Sequence, residues 1–151
     1  MFKPARTLFL AFALSSAALA PAVAQTPDVS QTIDTVLGDH AKYQAVIAAL
    51  QAGVKNRDAA AVAALVSYPI TVKIHGKKTR IKTAADFAKN YDAIITPAIA
   101  AVIEDQNYDD LLVNAQGIMF GKGEVWISGI CKDTACRQSD VKVVTIQASA
   151  S

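Results

Sequence analysis

Cysteine, histidine, tryptophan and net charge are all scarce in this chain, and each shortage removes a class of function. The 151 residues include two histidines, two cysteines and one tryptophan. His40 and His75 lie too far apart in sequence for metal-ligand spacing, so no metal is expected. Four residues separate Cys131 from Cys136, so the C-x-x-C of the thiol oxidoreductases is missing. Neither a G-x-S-x-G elbow, a phosphate loop nor a dinucleotide fingerprint occurs, and no cofactor is expected. Charge of one sign is missing too. The formal net charge of +2 comes from Lys3 and Arg6; beyond them 13 basic residues balance 13 acidic ones, which argues against nucleic acid as the main partner.

Long apolar runs are confined to the N-terminus. Residues 1–24 have the form of an export signal: Lys3 and Arg6, then the apolar segment Leu8 to Leu14, then Ala22-Val23-Ala24 as a small-residue cleavage site before Gln25. The rival, a membrane anchor, needs roughly 20 apolar residues, and here Ser15, Ser16 and Pro21 interrupt the run. No cysteine follows it, which argues against a lipoprotein. Cleavage after Ala24 leaves 127 residues, a size for one domain with no membrane span. It also assigns the protein to the bacterial periplasm or the exterior, where disulfides persist. Cys131 and Cys136 are therefore expected to pair in a short clamp worth about 2 kcal/mol in the chain-entropy model. A metal pair and free thiols are the alternatives.

What is present is helical and β periodicity in succession. Gln25 to Gly38 is polar, lacks a sustained period and reads as a flexible lead-in. From Asp39, the spacing of Tyr43, Val46, Ile47, Leu50 and Val54 predicts an amphipathic helix. Ala59 to Val66 predicts a second, ended by Tyr68-Pro69. Ile70, Val72 and Ile74 alternate with Thr71 and Lys73 as in a half-buried strand, and His75-Gly76-Lys77-Lys78 turns into Thr79 to Lys82. Lys73, Lys77, Lys78, Arg80 and Lys82 form a basic stripe, read either as a solvated edge or as a docking surface for an anionic partner.

Thr83 and Asp86 resemble a capping box before a helix with Phe87, Tyr91, Ile94 and Ile95 on its buried face. Thr96-Pro97 starts another, carrying Ile99, Val102 and Ile103. Glu104 to Asp110 is an acidic segment that lacks the glycine and glutamate of a calcium loop and reads as a solvated face. Leu111 to Ile130 is the centre of the pattern: β-prone runs around Gly121-Lys122-Gly123 predict a hairpin at the spine of a curved antiparallel sheet. Val141 to Gln147 is the expected last strand, with Val141, Val143 and Thr145 alternating against Lys142, Val144 and Ile146, and 148–151 reads as a tail.

This order, together with Leu65-Val66-Ser67-Tyr68-Pro69-Ile70, Asp86-Phe87-Ala88-Lys89-Asn90-Tyr91-Asp92, Tyr108-Asp109-Asp110-Leu111-Leu112-Val113-Asn114 and Gly117 to Ile127, resembles exported bacterial members of the nuclear transport factor 2-like superfamily. The resemblance covers residues 39–147 and implies one α+β domain, a curved antiparallel sheet wrapped around N-terminal helices as a cone. It implies a pocket at the wide end, with Tyr43 as a hydrogen-bond donor and Tyr91 and Trp126 as walls. Enzymes of that superfamily also carry an acid or base in the pocket, and His75 is the one base-like residue in the corresponding region. No catalytic residue is assigned. The expected function is therefore an exported, non-enzymatic domain that binds a small apolar molecule or an envelope protein, with homodimerisation through the sheet a further expectation. A cofactor-free isomerase, dehydratase or cyclase using Tyr43, and an inhibitor or immunity-type protein using the basic stripe, are the alternatives.

Overall fold

The computed structural model describes residues 28–148; the readings of 1–24 as an export signal and of 149–151 as part of the tail lie outside the described residues. Helix α1 spans Val29–Val36, α2 His40–Lys55 and α3 Ala59–Ala64. Strands β1 (Ile70–Ile74) and β2 (Lys77–Ile81) follow, then α4 (Ala84–Lys89), α5 (Tyr91–Ile94) and α6 (Pro97–Asp105). A 3-10 turn at Tyr108–Asp110 leads to β3 (Leu112–Asn114), β4 (Gly117–Phe120), β5 (Val125–Cys131) and β6 (Ser139–Ile146). The class is α+β with antiparallel sheets, as the element order predicts. No helix among the described residues is long and apolar enough to cross a membrane.

Helix starts follow local chemistry. Asp39, Asp58, Thr83 and Thr96 each accept a backbone N–H of the following first turn, which satisfies donors that have no partner within the helix. Thr83 accepts the Asp86 N–H at 3.1 Å while its hydroxyl donates to the Asp86 carboxylate at 2.8 Å. The acid thus returns to the threonine side chain rather than to its backbone N–H, as suits a side chain one methylene shorter than glutamate.

Residues 29–36 correct the lead-in reading. Asp28 caps α1 through the Ser30 N–H, and Val29, Ile33 and Leu37 repeat every four residues. Ile33 is fully buried and Val29 nearly so, and the helix packs on β3 and α2. Two turns with three apolar residues among Ser, Gln, Thr and Asp carry little periodic signal. Such a helix is held by what it docks against, because short helices are marginal on their own.

The main sheet is an antiparallel meander in the order β3-β4-β5-β6. On its far side β6 is bridged in parallel by Val66, with Ser67 donating to the Val143 carbonyl and Val143 donating to that of Leu65. One row across the sheet, Ile118, Ile127 and Val143, is fully buried, and so are Phe120 and Val125 in the next. These rows face the same core as Leu50 and Val54 of α2 and Ile99 and Ile103 of α6. A register shift at Trp126/Ile127 pairs Trp126 with Thr145 but Ile127 with Val143, leaving Val144 as an extra residue. That bulge corrects the expected alternation along β6. Val141 and Val143 point inward, and the inserted residue brings Ile146 into the core in place of Thr145.

Gly117, opposite Asn114 at the start of β4, has φ +135°, and a Cβ there would collide with the Ile127 carbonyl oxygen. Both the backbone conformation and the space exclude a side chain. Gly117→Ala should therefore cost roughly 2–4 kcal/mol in chemical denaturation, and a loss under about 0.5 kcal/mol would show that the strands separate freely at this point.

Candidate functional site

Tyr43, Tyr91 and Trp126 do not converge. Tyr43, on the first turn of α2, is 3% exposed and aims at the sheet: a Cβ on Gly129 of β5 would meet its hydroxyl oxygen at 2.9 Å. Burial raises its phenol pKa, and a hydrogen bond with the Gly129 backbone opposes the rise. The hydroxyl is thus spent tying α2 to β5. Trp126 lies on the same strand, but three residues away and on the opposite face, beside Met119 and Thr145 in the cross-strand row. A Cβ on Gly123 would lie 3.6 Å from its indole nitrogen and 3.7 Å from the Met119 sulfur, so the ring lies against the β4–β5 turn.

Tyr91, on α5, lies along a cavity of about 350 Å³. Val54, Ile95, Pro97 and Ala100 supply its apolar lining, and Lys55, Arg57, Asp92 and Glu104 its charged groups. Arg57 and Asp92 pair at 2.7 Å with both side chains mostly exposed, a contact of small energetic weight. The cavity sits at the C-terminal end of α2. Eleven residues separate Val54 from Tyr43, roughly 16 Å of helix. Tyr91 is 6% exposed, and its hydroxyl is the one buried side-chain polar atom found without a hydrogen-bond partner among the described residues. Burial raises its pKa, opposed by the Arg57 charge.

His75 is exposed and occupies the β1–β2 turn with φ +48°, beside Gly76 at +80°, the two-residue geometry of a type I′ hairpin. It borders a second cavity, of about 340 Å³, that also touches Ile94, Ile99, Ile146 and Asp92. No hydrogen bond to His75 is seen that would orient it as a base.

The charged residue that the sequence pattern did not single out is Glu124. It is 4% exposed, the one buried charged residue among those described. Its carboxylate accepts the Lys122 N–H at 2.5 Å, so it closes the β4–β5 turn from within. Glutamines complete the fastening. The Gln106 side-chain Oε1 accepts the Gly121 N–H, the Gln147 side-chain amide donates to the Gly123 backbone carbonyl, and the Gln51 side-chain amide donates to the backbone carbonyls of Ile103 and Gln106. Glu124 directly precedes β5, five residues before Gly129 and roughly 17 Å away along extended chain, so the buried carboxylate does not face Tyr43. The signal for Glu124 was its place directly after Gly121-Lys122-Gly123, where a side chain can fold back onto its own turn.

Cys131 and Cys136 are joined in a disulfide with Cα atoms 4.7 Å apart. The loop they close is organised by Asp133, which accepts the N–H groups of Ala135, Arg137 and Gln138. No cluster of three or more His, Cys, Asp or Glu side chains that could hold a metal ion occurs among the described residues.

The outer face of the four-stranded sheet is partly exposed. Leu112, Met119, Trp126 and Thr145 form one row across all four strands, and Ile130 follows Trp126 on the same side of β5. Leu112 is 47% and Ile130 40% exposed. Comparison of the chain with protein-family models, with curated proteins and with solved structures gives no match.

Three of the four tyrosines, Tyr43, Tyr68 and Tyr91, separate by what their hydroxyls do. Tyr68 donates to the Ala63 carbonyl at 2.7 Å, whereas the Tyr91 hydroxyl is unpaired. Tyr43→Phe and Tyr68→Phe should each cost about 1 kcal/mol in urea melts, while Tyr91→Phe should be neutral or stabilising. Equal losses at all three positions would show that Tyr91 finds a partner in solution.

An alkaline transition follows from the same groups. Burial raises all three phenols above the ordinary 10.0, Tyr68 to about 12. The unfolded chain ionises first, so stability from the neutral phenols is complete below pH about 10 and is lost as pH rises through the folded values. Tyrosinate absorbance and loss of far-UV circular dichroism should climb together. Three or more of the four tyrosines ionising near pH 10 in a still-folded protein would contradict this.

Proposed function

We propose that this protein is an exported, non-catalytic binding domain that recognises a protein partner through the outer face of its four-stranded sheet. The observation that carries the reading is the outward row Leu112, Met119 and Trp126, extended by Ile130, in which Leu112 and Ile130 are exposed and Met119 and Trp126 half-buried. Tryptophan and methionine are enriched in the desolvated centres of interfaces. A second copy of the chain is the simplest occupant, since a sheet face is self-complementary under a two-fold axis. The α+β element order with its antiparallel meander supports kinship with the cone-shaped nuclear transport factor 2-like proteins. The disulfide supports an oxidising compartment outside the cytoplasm.

A small apolar ligand is the second reading, favoured by the unpaired Tyr91 hydroxyl beside a cavity at the lower end of ligand-pocket sizes. Catalysis through Tyr43 has less support, because its hydroxyl is engaged by the Gly129 backbone and no buried carboxylate faces it.

Light scattering after size exclusion, followed by native mass spectrometry, tests the main reading. The expected result is a dimer that Trp126→Asp converts to a folded monomer, with the tryptophan emission of the parent protein shifted to the blue by burial. A monomer at high concentration that carries a small molecule, with release on filling the Tyr91 cavity by Ala100→Phe, would replace it with the second reading.

A further inference from the structure

The β1–β2 hairpin presents a layer of positive charge that nothing in the described structure neutralises. Between Thr71 and Lys82 the chain has five basic residues and no acidic one. The register pairs Thr71 with Arg80 and Lys73 with Lys78, and all four are exposed, whereas Ile70, Val72 and Ile81 on the other side of the hairpin are buried. Lys82 continues the alternation of Lys78 and Arg80. One side of the hairpin is therefore apolar and docked, and the other is a plane of three to four cations.

Ion pairs occur elsewhere: His40 with Asp34, Arg57 with Asp92, and Lys132 with Asp140. None involves the hairpin. Directly opposed like charges destabilise a strand pair, and Lys73 faces Lys78 where an acidic residue would stabilise it. Both strands of this two-stranded sheet are edges, and protection from pairing accounts for charge on either of them. It does not account for placing Lys73 directly opposite Lys78.

We propose that this face docks the protein electrostatically on an anionic phospholipid surface. The composition of the face selects that partner over an acidic protein. Protein interfaces are anchored by buried aromatic or apolar groups and by forked arginine contacts. Here the one uncharged residue in the two cross-strand pairs is Thr71, and lysines outnumber arginine. Lysine is a flexible point charge, suited to a diffuse layer of headgroup phosphates that asks for charge but no fixed geometry. Each basic residue near such a surface favours binding by about fivefold, falling away within a Debye length. Three residues together contribute about a hundredfold, which makes the attachment weak, reversible and sensitive to salt. This inference is independent of the sheet-face reading, because it uses a different sheet.

Sedimentation of the exported protein with vesicles tests it, using equal parts phosphatidylglycerol and phosphatidylcholine against pure phosphatidylcholine. Binding is expected to the anionic vesicles only, to fall steeply with added salt, and to weaken about a hundredfold in the triple variant Lys73→Gln, Lys78→Gln, Arg80→Gln. Lys78→Glu supplies a readout that separates docking from folding. It should raise the melting temperature by pairing with Lys73 while reducing vesicle binding more than Lys78→Gln does. Equal binding to both vesicle types, or an unchanged triple variant, would overturn the proposal. So would retention on an acidic polypeptide or heparin matrix without any binding to anionic vesicles.

Discussion

Burial of one side of the four-stranded sheet, centred on Ile118, Phe120, Val125, Ile127 and Val143, is the interaction on which the other features depend. Each of these side chains is worth roughly 1.5–3 kcal/mol in transfer terms, and together they determine which face of every strand meets the helices. The Val144 bulge keeps β6 in that arrangement where strict alternation would have turned Ile146 to solvent. Close packing imposes a second demand, that backbones approach where side chains cannot fit. Gly117 against the Ile127 carbonyl, and Gly129 over the Tyr43 hydroxyl, are the two places where the sheet meets it.

Once that face is committed to the core, its opposite is left with Leu112, Met119, Trp126 and Ile130, and the polar groups near the turns must be satisfied locally. Glu124, Gln51, Gln106 and Gln147 do this by bonding backbone groups of the β4–β5 turn, of the end of α6 and of the stretch just beyond it. Buried polar atoms are expensive without partners, which makes the solitary Tyr91 hydroxyl conspicuous against this background. Two surfaces are thus left over, one partly apolar on the main sheet and one cationic on the small hairpin.

Much of the local structure was legible in residue order. Asp39, Thr83 and Thr96-Pro97 announced their helices because a cap is a contact between residues two or three apart. The β4–β5 turn at Gly121-Lys122-Gly123 and the alternation in β1 were legible for the same reason. Helix α1 was not, since its stability comes from β3 and α2, eighty residues away in the first case. The single bulged residue in β6 was equally hidden, because a register shift is a property of two strands and leaves no mark in one. The site was less readable than the fold. Tyr43, Tyr91 and Trp126 were each recognisable as large amphipathic side chains, but whether three such residues share a cavity depends on which side of β5 each occupies.

The sequence by itself determined the α+β order, the helix caps, the hairpin turns, the cationic alternation in β1 and β2, and the reach of the Cys131–Cys136 pair, because all of these are set by neighbours within a few residues. Only the tertiary structure decided that Tyr43 is a core fastener, that Tyr91 is unpaired beside a cavity, that Glu124 is buried, and that Trp126 looks outward. Those outcomes depend on competition for a single buried volume among elements far apart in the chain. The sheet has room for one face in the core, and the side chains which that face excludes are the ones left on the outside.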